Sequence, residues 1–358
     1  MRGLAALGVV VYHHGSHFHV WPLPGLLNPL YEGGWRAVDF FFALSGFVLA
    51  RAYWTEARRH RLGSNIWDRV ARLYPLHLAT LLLVAAGQWD LTAFLHQQTW
   101  VYHLTDTYHF VLNLLLIQGL DSSFNGPSWS ISTEFVVNIL FFCAILLPRR
   151  AAMACFVVAI VAVSFTPSEG PVSVLVPLAR TLRGFCLGVL LHSAVSSLLQ
   201  SQPKRLTRGA DAVFVCATVL WVVYAYLPAA SALPGGPVTL LLSSALIASA
   251  PISGIGRYVL NRGPLVYLGE ISYSIYLIHF PLQLVLWLLH VRFGLQWSFG
   301  PLAGLVVFLA ATVGCADLTY RFIELPGKSW LRPRRKRAPA GSNVPVSRAT
   351  SGSRTDGP

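Results

Sequence analysis

Charge is what this 358-residue chain has least of. Asp, Glu, Lys and Arg make up 11% of it, against about 25% in soluble domains. That scarcity, beside 54% hydrophobic residues, excludes an ordinary soluble domain. Acidic residues are scarcer than basic ones, 14 against 27. Cysteine is also sparse: Cys143, Cys155, Cys186, Cys216 and Cys315 all lie in apolar runs. An odd number so placed reads as buried thiols and excludes a disulfide framework. No CxxC, zinc-finger or HExxH spacing occurs, so no metal site is expected. No internal repeat at a fixed period is visible, which disfavours an inverted-repeat transporter. The first apolar run has no small-residue cleavage site and reads as a span, not a signal peptide.

What the chain has instead is apolar runs close to the ~20 residues that cross a bilayer. Ten spans are predicted, near 3–20, 38–54, 73–90, 129–148, 151–167, 173–194, 211–228, 237–254, 265–290 and 300–322. The predicted fold is an all-α polytopic membrane helix bundle of about ten transmembrane helices. It occupies residues 1–327, with a basic, Pro/Ser/Gly-rich tail at 328–358 whose composition reads as disordered. Five connections carry the positive charge: 55–72, the Arg149–Arg150 pair, 195–210, 255–264 and the tail with its RPRRKR cluster. Their alternation with basic-poor connections predicts both termini in the cytoplasm. The surplus of +13 then reads as membrane orientation before nucleic-acid binding, and the tail's cluster as a solvated stop signal fixing orientation or, alternatively, a contact for anionic lipid headgroups. Residues 109–120 (HFVLNLLLIQGL) are too short to span. They read as a short interfacial or re-entrant helix inside a long external connection over 91–128.

Ionisable residues inside spans cost a few kcal/mol and are functional candidates by default. Arg2 and His13 stand eleven positions apart in RGLAALGVVVYHH. At 1.5 Å per residue His13 lies about 16 Å deeper than Arg2. A neutral imidazole there suits removal of a proton from a hydroxyl; the alternative is a histidine satisfied by a neighbouring helix. His13 and His17 share a helix face, which also suits a metal, but no acidic residue precedes Glu32. Asp39 opens the second span and either caps it or pairs with an arginine or histidine. Ser45-Gly46 interrupt that span with small residues that permit close packing. Arg69 and Arg72 share a face at a span's edge and suit phosphate, or simply anchor the span. In PSWSISTEF, Glu134 needs a partner, and Ser128 or Ser130 suits a cap. His279 lies in the ninth span. Arg321 and Glu324 are spaced for an ion pair at the last boundary.

RGLAALGVVVYHH, GWRAVDFFFALSGFVL, RVARLYPLH, WSISTEF, LGEISYSIYLIHFPL and RFIELP, in that order, resemble the acyltransferase 3 family over about residues 2–327. The resemblance implies an integral-membrane O-acyltransferase in the inner (cytoplasmic) membrane, with ten helices and no permanently bound cofactor. It implies transfer of an acyl group, acetyl above all, from cytoplasmic acyl-CoA to a hydroxyl of a cell-surface glycan or other glycosylated acceptor. By the same resemblance His13 matches the essential histidine, Arg2 the arginine before it, and Arg69 and Arg72 an RxxR motif linked to donor use. Members usually carry several residues before that arginine, often ending Asp-Gly-Leu; here Met1 alone precedes it.

The expected mechanism is direct attack. His13 is the general base, Arg2 orients the thioester and Glu134 balances charge. Arg69 and Arg72 hold CoA phosphates, and Asp39, Trp129 and Ser130 position the acceptor from the outer side. The rival expectation is a transporter of a lipid-linked sugar or acyl donor, with the buried charges lining its pathway.

Overall fold

The computed structural model describes residues 1–56, 58–98, 100–101, 104–165, 175–201, 203–226, 235–295 and 300–332. Among the described residues there are helices and no strands, as a lipid environment demands of backbone that must satisfy itself locally. The predicted tail lies beyond them except for its first residues. In chain order the helices are α1 (Arg2–Phe18), α2 (Pro24–Gly33), α3 (Ala37–Tyr53), α4 (Leu62–Trp89) and α5 (Thr107–Leu114). Then come α6 (Trp129–Ala144), α7 (Arg149–Ser164), α8 (Val176–Ser201), α9 (Pro203–Tyr226) and α10 (Gly235–Ser249). The last are α11 (Gly254–Leu260), α12 (Gly263–Glu270), α13 (Ser272–Phe293), α14 (Pro301–Thr319) and α15 (Leu325–Leu331).

Each of the ten predicted spans overlaps a helix, although 265–290 runs across both α12 and α13, which break at Ile271, and the protein is a multi-pass membrane bundle. Among the described residues six helical stretches are long and apolar enough to cross alone, or seven if the bent pair of α10 and α11, 93° apart, is one span. Helices α1, α6 and α7 hold 17, 16 and 16 residues. They rise about 24–26 Å, short of a ~30 Å hydrocarbon core. Their inner faces pack against neighbouring helices: Ala6, Val9 and Val10 of α1 are at most 1% exposed. The outer helices do the reverse. Val157, Val158 and Val161 of α7 and Val219, Leu220, Val222 and Val223 of α9 are exposed, as befits an apolar solvent.

Residues 109–120 do not form a span. Helix α5 has only 8 residues, about 12 Å. Asp106 caps it by accepting the His109 amide at 3.0 Å. Hydrogen bonds from the His109 backbone and ring hold the Asp106 carboxyl below its usual range. Asn113 ends the segment. Its side chain donates to the His109 and Ser122 carbonyls at 2.8 and 3.0 Å and accepts the Phe124 amide at 3.1 Å. Its carbonyl accepts from His77 Nε2 at 2.7 Å. The short helix is thereby buttressed by protein, which is the condition for such a segment.

Two parallel helix pairs position everything that follows. On α1 and α13, Gly3 meets Leu268 just before α13, His13 meets His279 and His17 meets Gln283, a nearly constant offset along the chain. On α3 and α8 the approach is closer still. A Cβ on Gly46 would strike the Phe185 carbonyl, and one on Gly188 the Ala43 carbonyl. Backbone, unlike a side-chain tip, has no room to yield. Gly188→Ala should therefore destabilise by about 1–3 kcal/mol, read as a lowered unfolding midpoint in detergent. An unchanged midpoint would mean that this crossing is not close-packed.

Candidate active site

The histidine run at the end of α1 splits by helix geometry. Residues four apart share a face, so His13 and His17 both turn toward α13. His13 Nδ1 and His279 Nε2 are 3.0 Å apart, and the rings stack at 5.0 Å. One turn on, His17 Nδ1 and Gln283 Oε1 are 2.9 Å apart. His14 turns the other way, buried between Phe18 and Phe308. Above the pair, Trp100 packs edge-on to His17 at 5.6 Å and stacks on Phe280 at 5.5 Å. Both its backbone groups are tied, the amide to Gln88 Oε1 and the carbonyl from Gln88 Nε2, each at 3.0 Å. The long connection thus closes the histidine end of the bundle.

Below the histidines lies an ionic cluster. Arg69 Nη2 of α4 donates to Glu134 Oε1 of α6 at 2.9 Å, and the same oxygen accepts Ser45 Oγ of α3 at 2.6 Å. Side-chain exposures of 8% for Arg69 and 19% for Glu134 make this a desolvated pair. Arg2 sits within electrostatic reach of Arg69, Arg72, Glu134 and Glu324. The cluster opens into a cavity of about 100 Å³ lined by Arg2, Arg69, Arg72, Glu134, Ser130 and Tyr276, among others. Tyr273 bounds the same cavity and donates to the Leu73 carbonyl at 2.6 Å. Ser130 Oγ and Tyr276 Oη are 2.8 Å apart. The Tyr276 ring stands 6.2 Å from His279, so the cavity ends one helical turn below the histidine pair.

A larger cavity of about 600 Å³ adjoins the first and shares Arg2, Leu44, Val48 and Arg72 with it. Arg51, Arg257 and Lys328 add positive charge to its lining, against Glu270 and Glu324. The two spaces therefore meet at two guanidiniums. From the open, basic side the order is vestibule, Arg2 and Arg72, the Arg69–Glu134 pair, Tyr276, and then His279 and His13.

The structure sorts the remaining predicted residues. Asp39 does not cap α3. Arg180 of α8 takes both its oxygens, Nε at 2.6 Å and Nη2 at 3.0 Å. That guanidinium also lies over Trp35 at 4.6 Å and Trp129 at 5.8 Å. Asp39 and Trp129 thus meet through Arg180, a span-embedded cation that sequence reasoning passed over. Ser128 and Ser130 make no side-chain cap on α6: Ser130 turns to Tyr276, and Ser128 Oγ accepts from Gln118 at 3.2 Å. The predicted ion pair of Arg321 and Glu324 does not form. Arg321 Nε bonds Asp317 at 2.8 Å, while buried Glu324 accepts Ser274 Oγ at 2.8 Å. The intervening π-helical turn, Tyr320–Glu324, breaks the i, i+3 facing that an α-helix would give. Glu134, expected to need a partner and balance charge, pairs with Arg69 of the RxxR motif. His279 and Tyr276 were not assigned roles from sequence, and Ser45 only a packing one; the visible signal was a histidine within an apolar span.

Comparison with known proteins follows the same motifs. A family model described as "Acyltransferase domain" matches residues 1–321. Acyltransferase MdmB of Streptomyces mycarofaciens is 28% identical over 393 aligned positions, covering 95% of this chain and 93% of the relative. A protein described as a putative membrane-bound transacylase, BcsY of Komagataeibacter xylinus, is 28% identical over 298 positions, covering 78% and 71%. A shorter stretch of 88 positions is 42% identical to Protein 2 in the picA locus of Rhizobium radiobacter, covering 24% and 41%. No solved structure matches the chain.

Proposed function

Because this chain belongs to that acyltransferase family and is a multi-pass membrane O-acyltransferase, we propose that its donor is a cytoplasmic acyl-CoA, acetyl-CoA above all. The acceptor is a hydroxyl of a cell-surface glycan or other glycosylated molecule. The observation that carries the reading is a basic vestibule that shares Arg2 and Arg72 with a narrower cavity, whose far wall, Tyr276, lies one helical turn from His279. A vestibule of about 600 Å³ with Arg51, Arg72, Arg257 and Lys328 on its wall suits the phosphates of a nucleotide carrier. The narrower inner cavity suits a thin acyl-bearing arm. In this reading the vestibule and both termini face the cytoplasm, in keeping with the basic connections, and the bundle lies in the inner membrane.

In this reading His13 accepts the acceptor hydroxyl's proton as its oxygen attacks the thioester carbon. The C–O bond forms, the C–S bond breaks, and the proton passes to the leaving thiolate to give free CoA. Arg2, about 16 Å from His13 along α1, lines both cavities and guides the donor between them. Glu134 keeps Arg69 in place and offsets a cluster of three guanidiniums, leaving Arg72, which lines both cavities, as the phosphate-facing member of the pair. Ser130 borders the path to the acceptor, and Asp39 with Trp129 frames that end through Arg180.

Purified protein in nanodiscs tests this with labelled acetyl-CoA. Free CoA should appear only when a hydroxyl acceptor is supplied. A transporter would leave the thioester intact, and that result would sink the proposal. Arg257→Gln with Lys328→Gln should raise the KM for acetyl-CoA roughly 10-fold or more, because each charge-assisted bond contributes about 1.5–3 kcal/mol, while kcat stays near wild type. An unchanged KM would remove the vestibule from donor binding.

A further inference from the structure

His279 makes two contacts that together determine where its proton must be. Its Nδ1 lies 3.3 Å from the carbonyl oxygen of Ile275. A carbonyl can only accept, so Nδ1 carries the hydrogen. In a neutral ring Nε2 is then a bare acceptor. That Nε2 is 3.0 Å from His13 Nδ1, so His13 must donate, and its own proton is fixed on Nδ1. The lone pair of His13 is left on Nε2, for which no partner occurs among the described residues. From these contacts we propose that His279 is the positioning residue of the site: it sets the His13 tautomer and holds the ring with Nε2 unprotonated, ready to act as base. This rests on the reading of His13 as the general base.

The arrangement does with an imidazole what a carboxylate does beside other catalytic histidines. A buried carboxylate would carry a desolvation cost at this depth, which a neutral ring avoids. When His13 takes a proton on Nε2, its Nδ1–H stays bonded to His279 and the new charge is shared along the bond. The groups around His279 are compatible with a neutral ring. Helix α1 presents His13 and His17, and α13 itself contributes Tyr276. Helix α4 faces this stretch with Leu81 and Val84, and α14 with Phe308. Among the described residues no carboxylate pairs with it. One turn along the same two helices the motif repeats with an amide in place of the ring, where Gln283 Oε1 meets His17 Nδ1. The second rung indicates which substitution can stand in for His279.

The test uses the full chain in nanodiscs. His279→Leu keeps bulk and removes the acceptor. It should lower kcat roughly 10²–10³-fold, with the KM for acetyl-CoA unchanged. His279→Gln, copying the Gln283 rung, should recover kcat to within about 10-fold of wild type. Nitrogen-15 NMR of histidine-labelled protein should show His13 as the Nδ1–H tautomer in the wild type and in His279→Gln. In His279→Leu it should shift toward the Nε2–H form. Wild-type kcat in His279→Leu, or an Nε2–H tautomer of His13 in the wild type, would overturn the inference. A dead His13→Ala beside a fully active His279→Leu would overturn it while leaving the general-base reading intact. A fully active His13→Ala would sink both.

Discussion

His13→Ala should transfer acyl groups about 10²–10⁴-fold more slowly than wild type, the usual contribution of a positioned general base, while inserting at normal abundance. The ring can be lost without losing the helix, because α1 is held by Ala6, Val9 and Val10 on its buried face and by the close approach of Gly3 to Leu268. The neighbouring residue supplies the control. His14 points into apolar surroundings with Phe18 and Phe308, and its Nδ1 has no hydrogen-bond partner among the described residues. His14→Leu removes a buried polar atom that bonds to nothing, so it should cost little stability and leave kcat within a few-fold of wild type. Two adjacent histidines then differ by orders of magnitude because a helix turns them about 100° apart. CoA release measured on both variants with acetyl-CoA and a hydroxyl acceptor decides the matter. Equal activity of His13→Ala and wild type would rule out direct base catalysis by His13. Direct attack also requires that acid-quenched enzyme carry no acyl label; label retained on the protein would mean an acyl-enzyme route.

The all-helical, multi-pass character of the chain was legible because lipid imposes a simple rule on composition. The short helix near 109–120 was legible from length alone. The partners were less so. A buried carboxylate announces that it needs a cation, but not which one. Glu134 could have met any arginine of the first helices, and the choice of Arg69 is set by how α4 and α6 cross. Asp39 was open between capping and pairing because its partner, Arg180, lies 141 positions away. The role of His279 was the least visible. A histidine in an apolar run has many uses, and its relation to His13 depends on the register of two parallel helices, which no local pattern encodes. The spacing of Arg321 and Glu324 misled because i, i+3 reasoning presumes an unbroken α-helix.

Removing Glu134 should destabilise the bundle more than removing Arg69, although the two share one ion pair. Breaking a buried pair costs about 3–5 kcal/mol because it leaves one charge desolvated and unpartnered. Glu134→Ala meets that condition in full. It strands Arg69, 8% exposed in its side chain, beside Arg2 and Arg72, three guanidiniums around one lost carboxylate. Ser45 Oγ also loses its acceptor. In Arg69→Met, Glu134 keeps the Ser45 bond and has Arg2 close enough to answer its charge, so the loss should fall at or below the lower end of that range. The double variant Arg69→Met with Glu134→Leu removes both charges and should recover much of what Glu134→Ala loses, as replacement of buried pairs by packed apolar side chains does elsewhere. Thermal unfolding in detergent across these variants gives the coupling directly. Donor handling separates from stability in the same set, since Arg72 is untouched and should keep the KM for acetyl-CoA within a few-fold in every variant that folds. If Glu134→Ala proves no less stable than Arg69→Met, the three arginines are not a repulsive cluster held chiefly by Glu134, with Glu324 the second carboxylate in reach. The charge balance proposed for the inner cavity would then be wrong.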